Sequence, residues 1–304
     1  MIYTITFSPS IDYVIKTDTD FNPQGLNRIQ NFDLFCGGKG INASVILKRL
    51  GFNNQAITFL GGDTQALFTK LSENESIDLK NFEVEATTRV NIKYFNNQQS
   101  FEINGPRTQI NQKTFNVFLD YIKRFTHKDL VFIMGISDKE YLHSILSALK
   151  AKNVPFVLDV DIDNPAKILS YQPLIIKPNV DELGRMLNQT ITSEKQIIEG
   201  MKNLHSLGAT NVMVSNGAKG SYLYTNKGEL YKIELQKIDS IVSTVGAGDT
   251  LLSSFVALYQ QSNDVKAALR QATSMSIGTS SNMWLGDKSD LEKYADKIKI
   301  TQLI

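Results

Sequence analysis

The sequence predicts an α/β fold built on a doubly wound, mostly parallel sheet, with a smaller polar sheet inserted into it. Three observations predict it. From about residue 114 to residue 215, short apolar runs alternate with helix-patterned segments at the spacing of right-handed crossovers. Polar or glycine-rich turns at 37–42, 177–182, 215–220 and 244–249 each follow a strand-like run. Open α/β sheets take their ligands beyond the carboxyl ends of the strands, so the agreement of four such turns outweighs any one of them. The polar strand-rich stretches at about 12–35 and 89–104 break the alternation and read as one small sheet made from two separated insertions.

Ile2 to Phe7 is a strand that stops at Ser8-Pro9-Ser10, in a turn carrying Asp12. Tyr13 to Lys16 and Leu26 to Phe35 are expected as two further strands, richer in polar residues and exposed on one face. Cys36-Gly37-Gly38-Lys39-Gly40-Ile41-Asn42 then opens a helix that Gly51 ends. Ala56 to Leu60 is a buried-type strand, followed by a helix from Thr64. Arg89 to Phe95 and Ser100 to Ile103 form a hairpin around Asn96-Asn97-Gln98-Gln99.

The alternating part follows. Its strands are Leu130 to Met134, Phe156 to Val160, Leu174 to Ile176 and Asn211 to Ser215, and its helices are Thr114 to Arg124, Tyr141 to Lys150 and Glu194 to Leu207. Ser221 to Thr225 and Glu229 to Leu235 pair across Asn226-Lys227-Gly228, and helices from Thr250, Asp264 and Ser289 close the chain.

A length of 304 residues allows one large α/β domain or two smaller ones. A formal net charge of +1 offers no field for nucleic acid or a membrane surface. The one cysteine, Cys36, rules out an intramolecular disulfide and suits a reducing compartment. The opening strand is not a signal peptide, and no apolar run is long enough to span a bilayer, so a cytoplasmic enzyme or binding protein is expected.

Ser243-Thr244-Val245-Gly246-Ala247-Gly248-Asp249-Thr250 carries the strongest chemical signal. The run after it reads as a helix with Leu252, Phe255, Val256 and Tyr259 on one stripe. The amides of Gly246, Ala247 and Gly248 therefore fall at a helix N-terminus, which favours an anion. A carboxylate at Asp249 is out of place there, unless the amides hold a transferring phosphoryl group while Asp249 takes the proton of the attacking hydroxyl. An ordinary helix start with an acidic first turn is the alternative.

Gly37-Gly38-Lys39-Gly40 looks like a phosphate cradle but lacks the Lys-Ser/Thr ending of the P-loop. Lys39 and Asn42, one helical turn apart, suit an anionic group, although glycines at a strand–helix joint also serve close packing. Arg89, Asn91 and Lys93 alternate and share one face, with Arg28 on another inserted strand. That face is either a solvated surface or a phosphate clamp. Asn179 and Glu182 fit a capping box. Alternatively, Glu182 organises a hydrated Mg²⁺ with Asn179 near nucleotide phosphates.

The set Ser8-Pro9-Ser10-Ile11-Asp12-Tyr13, Gly37 to Asn42, Thr88-Arg89-Val90-Asn91-Ile92-Lys93, Lys177-Pro178-Asn179 with Glu182, and Val245-Gly246-Ala247-Gly248-Asp249 resembles the ribokinase-like (pfkB) carbohydrate kinases over essentially the whole chain. Within that family it looks like the 1-phosphofructokinase and tagatose-6-phosphate kinase branch.

The resemblance implies one three-layer α/β/α domain, 1–304, with a β-sheet lid that also offers a homodimer surface. It implies ATP and Mg²⁺, with Asp249 as base and the amides of Gly246, Ala247 and Gly248 as anion hole. Asp12, Gly37, Gly38, Lys39, Asn42, Arg89, Arg28 and Asn91 fall on the sugar-phosphate side. Lys177, Asn179, Ser215, Gly217 and Gly220 fall on the nucleotide side, with Glu182 reaching the metal through water. Glu102 to Pro106 leans toward fructose 1-phosphate as acceptor; tagatose 6-phosphate, another sugar, or a non-catalytic sugar-phosphate or nucleotide sensor are the alternatives.

Three segments depart from the family pattern. Ser8 replaces the usual Asn, Met134 to Asp138 replaces a Gly-Ser segment, and 159–163 is unusually acidic.

Overall fold

The computed structural model describes residues 1–96, 100–162, 164–238 and 241–304. Asn97, Gln98 and Gln99 of the expected hairpin turn and Asp163 of the acidic segment lie outside the described residues. In chain order the first half comprises β1 (Ile2–Thr6), β2 (Ser10–Lys16), β3 (Asp33–Gly37), α1 (Lys39–Arg49), β4 (Asn54–Thr58), α2 (Gln65–Asn74), β5 (Asp78–Asn81), β6 (Arg89–Phe95), β7 (Ser100–Asn104), α3 (Gln112–Ile122), β8 (Leu130–Met134), α4 (Lys139–Ala151) and β9 (Phe156–Asp159). The second half comprises α5 (Pro165–Leu169), β10 (Ile175–Ile176), α6 (Val180–Leu187), α7 (Glu194–Ser206), β11 (Val212–Ser215), β12 (Ser221–Tyr224), β13 (Leu230–Leu235), α8 (Ala247–Ser262), α9 (Val265–Ser281), α10 (Asp290–Lys293) and β14 (Ile298–Gln302).

Ten strands form one sheet in the order β14-β13-β12-β11-β10-β9-β8-β1-β4-β5. The run from β5 to β11 is parallel, and β12, β13 and β14 extend it antiparallel. Its inner strands are apolar on both faces, as a sheet covered on both sides requires. In β8, Val131 and Ile133 enter one core with α3, α4 and α7, while Leu130, Phe132 and Met134 enter a second core with α8 and α9. The result is a three-layer α/β/α arrangement. Helix α8 lies deep in it, with every residue from Asp249 to Leu258 buried. At about 1.5–3 kcal/mol per buried large apolar side chain, Leu251, Leu252, Phe255, Val256 and Leu258 fix this helix, and with it the turn at its start.

A second sheet, β3-β2-β6-β7, gathers strands from both polar stretches. Strands β2 and β6 run parallel, and β3 and β7 flank them antiparallel. The alternation in β6 sends Asn91 and Lys93 inward and leaves Val90 and Ile92 exposed. The expected strand at Leu26 to Phe35 is corrected. Residues 26–32 have no regular pairing, and the strand is Asp33–Gly37, where Ser10 to Val14 supplies a partner.

Strands β5 and β14 were not expected, because both are short edge strands with mixed polar sequence. Helices α3 and α4 begin two residues earlier than their apolar pattern, at the Asn111 and Asp138 caps. Cys36 is buried, and burial pushes its thiol up to about 12, so it is an inert core residue. No helix among the described residues is long and apolar enough to cross a membrane.

Candidate active site

The carboxyl ends of β9, β10 and β11 bring Asp159, Lys177 and Ser215 to one edge of the large sheet. Register decides which of them meet. Ile175 pairs with Val157 and Ile176 with Leu158, so the next residues, Lys177 and Asp159, are neighbours. Val157 and Ile175 face the α8 core, and side chains two residues on point the same way. Asp159 and Lys177 therefore emerge beneath the first turns of α1 and α8.

There they join Lys39, Asn42 and Asp249. Lys39 Nζ donates to Asp159 Oδ1 at 3.1 Å, and Lys177 Nζ lies 3.6 Å from Asp159 Oδ2. Asn42 Nδ2 donates to Asp249 Oδ2 at 2.8 Å. Both carboxylates are buried. Burial, and then the charge of Asp159, raises the Asp249 carboxyl from 3.8 to about 6, against the opposing pull of Lys39, Asn42 and Lys177. Burial would raise Asp159 as well, but Lys177 and then Lys39 outweigh it and hold Asp159 below its ordinary value. The Lys39 ammonium is disfavoured by burial but lifted above its ordinary value by Asp159 and Asp249. Two carboxyls of one type thus have proton affinities pushed apart, the pattern that separates a base from a fixed counter-charge.

Gly246 caps α8 at φ 77°, a left-handed conformation that glycine adopts without steric cost. A side chain there would also press within 2.8 Å of Leu285. The amides of the first turn have no intrahelical acceptor. Of the three amides expected to be free, that of Ala247 instead donates to the Thr244 carbonyl at 3.3 Å. Gly248 brings the turn close to Lys177: a Cβ on it would lie 3.1 Å from Lys177 Nζ. The Thr250 amide returns to the Gly246 carbonyl at 2.8 Å and starts the helical ladder.

On the other side of Asn42, Asp12 is buried in the second sheet. Its Oδ1 accepts from Ser10 Oγ at 2.8 Å and Asn91 Nδ2 at 3.0 Å, and its Oδ2 from Lys93 Nζ at 2.5 Å. Gly37, which pairs with Ser10 on the neighbouring strand, makes room, since a Cβ there would stand 2.5 Å from Asp12 Oδ2. Gly38 is the N-cap of α1 and carries Lys39 and Asn42 on the first turn. Lys93 is thus neutralised by Asp12, which narrows the expected cationic face to Arg89.

The Arg89 guanidinium donates to the carbonyls of Ser8 at 3.1 Å and Gly105 at 3.4 Å, and its buried Nε has no partner. Burial lowers its proton affinity, with neighbouring Arg107 adding to the effect. Arg28 is exposed on the irregular 26–32 segment and does not join this cluster.

The residues expected on the nucleotide side divide. Asn179 and Glu182 form a reciprocal capping box at the start of α6, each bond 2.8 Å long. Ser215 bridges to Asn179, so the 177–179 and 215–217 turns lie side by side. Gly217 has φ 52° and open space around its Cα, whereas a Cβ on Gly220 would run into the Ile233 carbonyl at 1.9 Å. Gly220 is therefore a packing residue. Among the described residues no three His, Cys, Asp or Glu side chains are grouped to hold a metal directly. Glu182 commits only Oε2 to its cap, which leaves the other oxygen for a hydrated ion.

Asp159 was missed as a member of the buried cluster. It reads in sequence only as part of an acidic segment, and its place follows from registers across β8, β9 and β10.

Two buried carboxyls with proton affinities pushed apart, two lysines and a helix N-terminus gathered at one edge of the sheet are parts that a phosphoryl-transfer site uses. The signature of the pfkB family carbohydrate kinases matches residues 5–281, and the chain belongs to that family. It is 32% identical to the 1-phosphofructokinase of Bacillus subtilis over 307 residues, covering 100% of both chains. It is 34% identical to the D-tagatose-1-phosphate kinase of Bacillus licheniformis over 311 residues, again covering 100% of both. The fold is shared with phosphofructokinase-2 of Escherichia coli, with a TM-score of 0.87 at 22% identity over 97% of this chain and 98% of that one. The chain is a sugar-phosphate kinase, a phosphotransferase with an alcohol acceptor, of a family that uses ATP.

Proposed function

We propose that the chain transfers the γ-phosphoryl group of ATP to the free primary hydroxyl of a ketohexose 1-phosphate, with fructose 1-phosphate as acceptor and fructose 1,6-bisphosphate as product. The observation that supports it most is the buried Asp249, held by Asn42 at the start of α8 with its carboxyl raised to about 6. At neutral pH such a carboxylate is ionised yet more basic than an exposed one, as a general base requires. The hydroxyl oxygen attacks phosphorus in line, its proton passes to Asp249, and the bond to the ADP oxygen breaks.

Charge developing on the transferred group meets the Gly246 and Gly248 amides and the ammonium of Lys177. The Ala247 amide joins them once released from its long bond to Thr244. Lys39, Asn42, Asp12, Asn91 and the Gly37-Gly38 turn hold the sugar, and Arg89 takes its existing phosphate. Ser215, Gly217 and Asn179 border the nucleotide. The uncommitted oxygen of Glu182 suits a Mg²⁺ ion held through water, which when bound neutralises phosphate charge. The second sheet closes over the acceptor as a lid. Its exposed Val90, Ile92 and Ile103 favour pairing with the same face of a second copy.

The two named relatives favour a 1-phosphate acceptor over tagatose 6-phosphate, since both names place the existing phosphate on the first carbon. The test is ADP release with Mg²⁺-ATP and fructose 1-phosphate, tagatose 1-phosphate, tagatose 6-phosphate, fructose 6-phosphate or free fructose. The proposal expects the highest kcat/KM with fructose 1-phosphate. A preference for a 6-phosphate or an uncharged sugar overturns the acceptor. Binding of ATP with no ADP release from any of them favours a sensor.

A further inference from the structure

We infer that Asp159 is the positioning residue of this site, a buried counter-ion that holds Lys39 and Lys177 together beside Asp249 until anionic substrates take them over. The inference rests on the kinase reading for its purpose and on geometry for its substance. One carboxylate faces two lysines that arrive from different elements, Lys39 from α1 and Lys177 from the turn after β10. Its Oδ1 is hydrogen-bonded to Lys39, while Oδ2, 3.6 Å from Lys177, is buried without a hydrogen bond. That second contact is a loose ion pair, which a phosphate oxygen can outcompete because it offers Lys177 a shorter, charge-assisted bond. The backbone fixes the carboxylate: the Asp159 carbonyl accepts from Gly135 N at 3.0 Å, and its Cα pairs with Met134.

The charged groups that act on Asp249 are Asp159 from β9, Lys39 from α1 and Lys177 from after β10, and Glu182 of α6 adds its charge at Lys39. With both carboxylates ionised, two negative charges balance two positive ones. Replacing Asp159 by Asn leaves two lysines facing Asp249 alone, so Asp249 should give up its proton more readily. A residue that serves only packing would not move that titration. Without their counter-ion the lysines also lose their common anchor, so the KM values for ATP and the sugar phosphate should both rise.

The test follows the Asp249 side-chain carboxyl by carbon-13 NMR in the wild type and in Asp159→Asn, a readout that needs no turnover. The expected result is a fall in the Asp249 midpoint of roughly one unit or more in the variant, the size of shift one nearby charge produces. The acid limb of kcat/KM should shift the same way, and Asp159→Glu should return part of it. An unchanged Asp249 midpoint in folded Asp159→Asn overturns the inference while leaving the kinase reading intact. Absence of ADP release by the wild type would sink the kinase reading and leave the titration to decide this one. If the Asn variant does not fold, the wild type still decides. Two linked steps, with Asp159 ionising first, are expected, and a single independent step at Asp249 refutes the coupling.

Discussion

Asp249→Asn should stabilise the protein at neutral pH while abolishing most of its activity. The unfolded chain ionises this carboxyl at about 3.8, and the folded chain only at about 6. Between those values the native state holds a proton that the unfolded state has lost, so stability falls as pH rises through the interval. Above pH 6 both states are ionised and the whole penalty applies, about 3 kcal/mol for a shift of roughly two units. Asn is close to isosteric and uncharged. Its amide oxygen keeps the bond from Asn42, while its NH₂ turns toward Lys39 and Lys177 and gives back part of the gain.

A net gain of about 1–3 kcal/mol at pH 7.5 is expected, which for a chain of 304 residues raises Tm by ~2–5 °C. The assay is differential scanning calorimetry of both proteins from pH 4 to pH 8. The difference should shrink as pH falls below 6 and approach zero near pH 4. A wild type more stable than the variant at pH 7.5, or a difference independent of pH, would refute the electrostatic account of Asp249.

Other outcomes follow from the same geometry. The kcat/KM profile should lose activity below an acid limb near pH 6, where Asp249 takes up its proton; a limb near pH 4 would show an unshifted carboxyl. Arg89→Ala should raise KM for the phosphorylated sugar roughly 10- to 100-fold, the scale of a lost charge-assisted hydrogen bond. An equal effect on free fructose would contradict a phosphate clamp. Gly246→Ala should cost about 1–2 kcal/mol of stability from its left-handed backbone alone, measurable by urea unfolding. The one tryptophan, Trp284, stacks on Phe35 of the second sheet at 4.6 Å with Arg49 5.1 Å from its ring, so closure of that sheet over sugar phosphate should change its emission. Unchanged fluorescence at saturating sugar phosphate would argue against movement of β3.

The core of the fold was legible because its signals are local. Apolar strands such as Leu130 to Met134 and capped helices such as the one from Glu194 announce themselves within a few residues. What failed depends on partners. Leu26 to Phe32 has strand-like composition but pairs with no strand among the described residues, while Asp78–Asn81 is polar and becomes a strand because β4 lies beside it. The site divides in the same way. Asp249 and its glycines could be read from one turn, and Lys39 with Asn42 from another. That Asn42 meets Asp249 across 207 positions, or that Lys177 and Lys39 share Asp159, is a matter of register and layer order. The capping box of Asn179 and Glu182 was visible in sequence and formed as expected. Lys93 shows the opposite lesson, because a cation facing the cleft is neutralised by a carboxylate 81 positions away.

The most direct test of the central claim is ADP release by folded Asp249→Asn with Mg²⁺-ATP and the preferred sugar phosphate at pH 8, alongside calorimetric binding of both substrates. The proposed mechanism predicts turnover reduced by roughly 10² or more with binding retained, the scale of a lost general base. Near-normal turnover in the folded variant would contradict it.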